Sequence, residues 1–437
     1  MQLLFFAFQQ MLAILAATIA VPAIVGNGLT PAAAMFGAGV GTLVYLFFTK
    51  MRSPVFLGSS FAFINSMLAA FAGGVSMNLG MLGLVIGSVF AGLVYVVISV
   101  VIRYTGVGWL NRLMPAVIIG PTVSIIGLGL ARNAIGDLTR LDVTQGVPET
   151  SYVALLCGIV TLFVTMLCST YGKKQLKLFP FIVGILAGYA VASVFTVIGT
   201  VSKNPSLMVI DFSVFGSYML TGGLGVKSFI SLPDFVFSHA VSGMGEISAS
   251  YLATIAVAYV PVAFVVFAEH IADHKNLSSI IGRDLLEDPG LHRTLRGDGV
   301  GSFIGAIFGG CPNTTYGESI ACVAITGNSS PRTIAAAAIG CILFSFVTPF
   351  VAFIDSIPAC VMGGVCVALY GFIAVSGLKM LQKVNLDENR NLYVASVIFI
   401  AGIGGLTITV GAVMLTSIAA ALILGIVVNV MLGAKKE

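Results

Sequence analysis

Charge is scarce in this chain: Asp, Glu, Lys and Arg together make up 9% of its 437 residues. A soluble domain averages about 25%, so these side chains cannot cover a water-facing surface of ordinary area. Seven cysteines are scattered at positions 157, 168, 311, 322, 341, 360 and 366 without a CxxC pair. That spacing gives neither a disulfide framework nor a zinc ribbon, and the thiols read as small apolar fillers. The formal net charge of +4 is too small and too dispersed for a nucleic-acid surface. The N-terminus has no basic leader, and its first apolar run continues to Val25, so it is expected to remain as a span. Tryptophan occurs once, which leaves no Trp-rich platform for a sugar.

What is abundant is apolar: 58% of the residues are hydrophobic, and 51 are glycine. Mean hydropathy is +1.06. Small residues suit membrane helices, whose backbones pack closely where side chains are short. A crossing needs ~20 apolar residues. Fourteen segments qualify or nearly so, near 4–25, 31–49, 54–72, 80–103, 109–132, 151–170, 178–201, 251–276, 297–311, 317–328, 332–354, 358–377, 391–410 and 412–433. With a cytoplasmic N-terminus, seventeen of the 21 basic residues fall inside, and only Arg132, Arg140, Lys203 and Lys227 fall outside. Basic loops favour the cytoplasm, so both termini are expected there. The one long stretch without a span, about 202–250, divides the chain into two sets of seven. An odd number per half inverts the second half relative to the first. The expected fold is therefore an all-α polytopic membrane protein built as a 7+7 inverted repeat.

The third segment of each half is broken. One reads Arg52-Ser-Pro-Val-Phe-Leu-Gly-Ser-Ser-Phe-Ala-Phe-Ile-Asn65 and the other Gly309-Gly-Cys-Pro-Asn-Thr-Thr-Tyr-Gly-Glu-Ser-Ile320. Pro and Gly interrupt the helical ladder, so an extended stretch leading into a half-helix is expected in spans 3 and 10. Unpaired backbone at membrane depth survives only against protein or a wet cavity. Matching breaks in two halves point to a transporter's binding site.

Most of the 17 acids fall in expected loops, with Asp298 and Asp355 at span ends. Glu269, Asp273 and Glu318 lie within apolar surroundings. A mid-bilayer charge costs at least ~2.5–3.5 kcal/mol, which makes an intramembrane acid a functional candidate. Asp273 follows Glu269 by one turn on the same helix face. Its nearness to Lys275 also allows a solvated or salt-bridged role. Glu318 opens a half-helix, where the positive helix end favours an anion. Half-helix N–H groups donate to carbonyls and carboxylates accept from N–H groups, so a ring with both edges, a pyrimidinedione or an oxopurine, suits this set. Glu269-His270-Ile-Ala-Asp-His274 also puts two His at i and i+4, the spacing of a helical zinc pair. The Glu precedes the first His instead of following it as in H-E-x-x-H, no third ligand is evident, and an intramembrane metalloprotease ranks far behind. His270 is expected to orient Glu269 or to pack between helices.

At these residues the chain resembles the nucleobase–ascorbate transporter family, and within it the bacterial uracil permeases. The likeness runs end to end: Gln9-Gln-Met-Leu-Ala13, Ala17-Thr-Ile-Ala-Val-Pro22, Gly58-Ser-Ser-Phe-Ala-Phe63, Ala268-Glu-His270, Asp284-Leu-Leu-Glu-Asp-Pro-Gly-Leu-His-Arg293, Pro312-Asn-Thr-Thr-Tyr-Gly-Glu318 and Met362-Gly-Gly-Val365. The resemblance implies a core of spans 1–4 (residues 1–105) and 8–11 (251–356). A gate of spans 5–7 (106–205) and 12–14 (357–437) follows from it, with 206–250 as an extracytoplasmic connection. It implies short strands in spans 3 and 10, Glu269 and Glu318 holding the base, and N–H groups of Phe61 and Gly317 on its carbonyls. Ala17, Tyr316 and Tyr370 are expected to line the pocket. It further implies import of uracil across a bacterial cytoplasmic membrane with protons as the coupling ion, no other cofactor, and a homodimer in which core moves against gate. Glu269, Asp273, His274 and Glu318 are the candidates for the proton. Three places depart from the family pattern: Asp273 stands where uracil permeases often carry His, and Ser319 and Ala321 stand where Asn and Gly are usual. Purine-type members commonly have Gln at the place of Glu318, which favours a pyrimidine over xanthine. Anion exchangers share the architecture but would not place carboxylates here.

Overall fold

The chain starts helical, because the 24 mostly apolar residues of α1 (Gln2–Val25) hold a single Pro, Pro22, in the last turn. In the computed structural model, residues 2–106, 115–141, 151–173, 176–219, 225–410 and 413–433 are described. Arg112, near the start of the expected fifth span, and Asp142, Glu149, Lys174, Lys435, Lys436 and Glu437, expected in loops or the C-terminal tail, lie outside them. Helix α2 (Pro31–Phe48) opens with Pro at its first position, and Thr30 Oγ1 accepts from the Ala33 N–H. Strand β1 (Leu57–Ser59) then passes through a 3-10 turn (Phe61–Phe63) into α3 (Ile64–Ala70). Helix α4 (Met77–Thr105) is capped by Ser76. The fifth span is made of α5 (Ala116–Gly129) and α6 (Ala131–Leu138), followed by α7 (Tyr152–Tyr171) and α8 (Pro180–Ser202).

The connection carries two short helices, α9 (Ser213–Met219) and α10 (Val236–Ser242). The second half repeats the pattern: α11 (Ala249–Ile281), α12 (Leu291–Gly309), β2 (Asn313–Thr315) and α13 (Gly317–Thr326). Span 11 is broken into α14 (Pro331–Phe344) and α15 (Thr348–Asp355), and α16 (Ala359–Leu381) and α17 (Asn389–Ile403) follow. A hairpin of β3 (Ile408–Val410) and β4 (Val413–Leu415) leads into α18 (Ser417–Gly433). Each of the fourteen expected segments has its counterpart, and the protein is a multi-pass membrane protein of 7+7 inverted-repeat fold. Eight helical stretches among the described residues, the α5–α6 pair counted as one, are long and apolar enough to cross a membrane.

The two broken spans meet. β1 and β2 pair antiparallel with Leu57 opposite Thr315 and Ser59 opposite Asn313. The ladder is extended by Ser60 N to Pro312 O at 2.9 Å and Tyr316 N to Phe56 O at 3.2 Å. Thr42 Oγ1 accepts from Leu57 N at 2.9 Å and donates to Leu57 O at 3.1 Å. Asn313 Nδ2 donates to the Gly37 carbonyl at 3.1 Å. A three-residue strand buried at membrane depth is thus satisfied on both sides, as lipid-excluded backbone must be. Glycines bring α2 and α12 close enough for this. A Cβ on Gly41 would lie 2.6 Å from the Gly301 carbonyl oxygen, and one on Gly309 2.7 Å from that of Ala33.

Helices α1–α4 and α11–α14 pack on one another, while α5–α8 pack with α16–α18. Helix α10 joins the first group through α4 and α12, and α9 lies on α15. The connection is stitched to the break in span 11: Ser231 N donates to Phe346 O at 3.0 Å and Thr348 N to Phe229 O at 2.9 Å.

Candidate functional site

The strand pair ends where two helices begin. Ser60 and Tyr316 are the N-cap residues of the 3-10/α3 segment and of α13, both with extended backbone and neither with a side-chain cap. Their first N–H groups therefore stay free to meet a ligand. Both helix starts open into one cavity of about 430 Å³ that is lined by Ser60, Phe61, Ala62, Tyr316, Gly317 and Glu318. Helix α11 adds Glu269 and Asp273 to the same wall. Across from these polar groups stand apolar side chains, Val123 and Ile126 of α5, Phe181 of α8, and Leu369, Phe372 and Ile373 of α16.

Three carboxylates from two elements thus share a single chamber. Asp273 accepts a 2.6 Å hydrogen bond from Thr315 Oγ1 of β2, so α11 is tied to the strand pair at the cavity floor. Lys275 forms no ion pair with Asp273 within 4.0 Å. Of the seven expected base-contacting residues, Glu269, Glu318, Phe61, Gly317 and Tyr316 line the cavity; Ala17 and Tyr370 do not. Ala17 is 1% exposed within the core. Tyr370 is 2% exposed and stands edge-on to Phe61, which does line the cavity, with ring centroids 5.8 Å apart. Tyr316 donates its hydroxyl to Ser59 O at 2.8 Å, which locks its ring beneath β1.

His274 does not reach the cavity. It is 0% exposed, its Nδ1 meets the His270 carbonyl at 2.8 Å and its Nε2 the Tyr45 hydroxyl at 2.7 Å. His270 does not orient Glu269; it packs between helices, with Nδ1 2.7 Å from Asp298 Oδ2 and Nε2 3.0 Å from Thr294 Oγ1. All four imidazole nitrogens are thereby engaged by protein groups, and no cluster that could hold a metal occurs among the described residues. Asp298 corrects an expectation. Placed at a span end by sequence, it is 0% exposed, because α12 begins at Leu291 and runs a full two turns before it. The available signal was its setting between Gly297 and Gly299, small residues that mark a close helix crossing.

A 7+7 inverted repeat with a polar chamber between two helix-start breaks fits one class of protein, a membrane transporter. The chain belongs to the nucleobase–ascorbate transporters: the family model described as "Permease family" matches residues 1–411. The uracil permease of Bacillus subtilis (strain 168) is 37% identical over 99% of this chain and 93% of its own. The uracil permease of Escherichia coli (strain K12) is 34% identical over 96% and 89%. Among solved structures, an anion transporter of the murine Solute Carrier 26 family in the inward-facing state superimposes with a TM-score of 0.67 at 12% identity, covering 99% of this chain and 68% of that one. The transmembrane domain of the cyanobacterial bicarbonate transporter BicA gives 0.63 at 14%, covering 98% and 96%. These two likenesses concern the fold alone. The relatives are permeases, and the protein is a membrane permease and not an enzyme.

Proposed function

We propose that this permease imports uracil together with protons, by alternating access of a core (residues 1–105 and 251–356) against a gate (106–205 and 357–437). The observation that carries the reading is the meeting of Glu269 and Glu318 with two uncapped helix starts in one chamber. Uracil offers N–H groups to the carboxylates and carbonyls to the N–H groups of Phe61 and Gly317. A simple anion would be repelled by three carboxylates, so the fold shared with anion transporters does not extend to their cargo. The names of the relatives point to the same base.

Proton coupling belongs to the acids that face the chamber, Glu269, Asp273 and Glu318. His274 is walled off from it in this state and is the weaker candidate. Ser169, Lys177 and Pro180 also line the cavity. They flank the connection between spans 6 and 7, which the basic-residue pattern assigns to the cytoplasm, so the chamber faces inward. The test is binding of uracil, xanthine and sulfate to purified protein, beside Glu269→Gln and Glu318→Gln. Uracil binding by the wild type, lost in both variants of unchanged melting temperature, supports the reading. Binding of xanthine alone would move the substrate to purines, and binding of sulfate alone would end the carboxylate argument.

A further inference from the structure

Where α4 ends and α12 begins, four basic side chains gather away from the chamber. The two helices run antiparallel and cross at glycines: a Cβ on Gly92 would lie 2.7 Å from the Gly299 carbonyl oxygen. Further along the same pair, Arg296 Nε donates to Ser99 Oγ at 2.9 Å. The charges of Arg103, Arg293 and Arg296 all act on His292, so the three guanidinium groups and one imidazole stand around one point. Among the described residues, no carboxylate oxygen lies within 4.0 Å of their nitrogens. The acids closest in sequence are engaged elsewhere, Asp298 with the buried His270 and Asp288 with Arg52. Arg103 suits the last turn of α4, where a helix end is negative. His292 and Arg293 do not suit the first turn of α12, which is positive and has neither an acid nor a side-chain cap. An anion in this corner would relieve the helix start and the arginines together.

The surroundings say which anion. Leu93, Val97, Val100, Val101 and Tyr104 follow one another at helical spacing along α4 and are all exposed, which makes a stripe for a bilayer to cover. The stripe ends beside Arg103, and the basic-residue pattern assigns that end to the cytoplasm. A soluble phosphate has no use for such a stripe, whereas a lipid uses both parts. We propose that Arg103, His292, Arg293 and Arg296 form a headgroup site for an anionic phospholipid of the cytoplasmic leaflet, with its acyl chains along Leu93–Tyr104. Guanidinium forks hold phosphate oxygens in pairs. Arg296 is preset for this by Ser99, which engages Nε and leaves its two terminal nitrogens for the lipid. Both helices belong to the group that bears the carboxylates, so the lipid rides on that group and not on α5–α8 or α16–α18. None of the four side chains lines the chamber, so the site stands apart from the uracil reading.

The experiment is native mass spectrometry of the purified protein titrated in detergent with phosphatidylglycerol or phosphatidylcholine of identical acyl chains. Wild type is compared with Arg103→Gln, Arg293→Gln and Arg332→Gln. Arg332 also stands in the first turn of a helix, α14, and is the control for a helix-start arginine outside this corner. Expected is a preference of wild type for phosphatidylglycerol of about tenfold or more, reduced about fivefold by either of the first two variants. Arg332→Gln should keep the preference of wild type. Soluble glycerol 3-phosphate at the same concentration should not displace the lipid. Equal binding of the two lipids by wild type would overturn the proposal, as would an undiminished preference in Arg103→Gln and Arg293→Gln. An equal reduction in Arg332→Gln would also overturn it, by showing a general response to lost charge. Displacement by glycerol 3-phosphate would overturn it in favour of a soluble phosphate. If one of the two Gln variants does not fold, the other and the wild-type comparison still decide.

Discussion

Glu269 and Asp273 stand one turn apart on α11, yet their surroundings assign them different work. Glu269 faces the chamber and makes no side-chain hydrogen bond among the described residues, whereas Asp273 is already engaged by Thr315. An acid that holds the strand pair in place and faces the chamber can take a proton without being displaced by the base. Asp273→Asn keeps an oxygen for Thr315 but cannot carry a proton. We therefore expect its Kd for uracil to stay within about threefold of wild type. Proton-driven accumulation should be lost, while uracil–uracil counterflow, which needs no net proton movement, continues. A loss of uracil binding would show that Asp273 contacts the base, and normal accumulation would move coupling to another acid. The neighbouring pair His270–Asp298 is a different kind of feature. Both side chains are 0% exposed, and they tie α11 to α12 inside the group of helices that also bears the carboxylates.

At the scale of elements, the strand pair depends on how closely α2 and α12 approach. Gly301 faces Gly41 across that crossing, and a Cβ added to Gly301 would meet the Gly41 carbonyl oxygen at 2.6 Å. The obstacle is backbone, which cannot swing aside. Gly301→Val should therefore destabilise the protein by about 1–3 kcal/mol and abolish uracil binding, because Leu57 also packs at that position. An unchanged melting temperature with normal binding would show the crossing to be more yielding than the geometry implies. The breaks in spans 3 and 10 could be read in advance because Pro and Gly leave a mark on any helical pattern. Their pairing with each other came only from the structure, because two three-residue strands so far apart in the chain carry no mark of their partner. The β3–β4 hairpin could not: Ile408-Thr-Val and Val413-Met-Leu415 are as apolar as the spans on either side, and short apolar runs do not separate strand from helix. The break at 345–347 was equally hidden, since its hydrogen-bond partners Phe229 and Ser231 lie more than a hundred residues earlier. For the site, the acids were legible because charge is costly in a membrane. Asp298 escaped notice because its depth depends on where α12 begins, and the absence of Ala17 and Tyr370 from the cavity depends on packing that no spacing encodes.

For the whole molecule, the decisive quantity is charge moved per cycle. Uracil is neutral near pH 7, so a cycle that carries it with one proton moves one positive charge toward the cytoplasm. A membrane potential of 100 mV is worth ~2.3 kcal/mol per elementary charge, which corresponds to an about fiftyfold accumulation ratio. The sign is testable, because an empty carrier that returned outward with a carboxylate deprotonated would move negative charge out of the cell, a step that a negative-inside potential favours. In proteoliposomes with no pH gradient, an imposed negative-inside potassium diffusion potential should then drive uracil inward, and reversing the potential should drain preloaded vesicles. The drive should scale with the imposed voltage and vanish when the potential is collapsed at constant pH. Uptake that ignores voltage but follows a pH gradient would mean that a second charge moves in compensation. Uptake that ignores both would mean that the three chamber acids bind the base without coupling it to anything, and the protein would then be a facilitator.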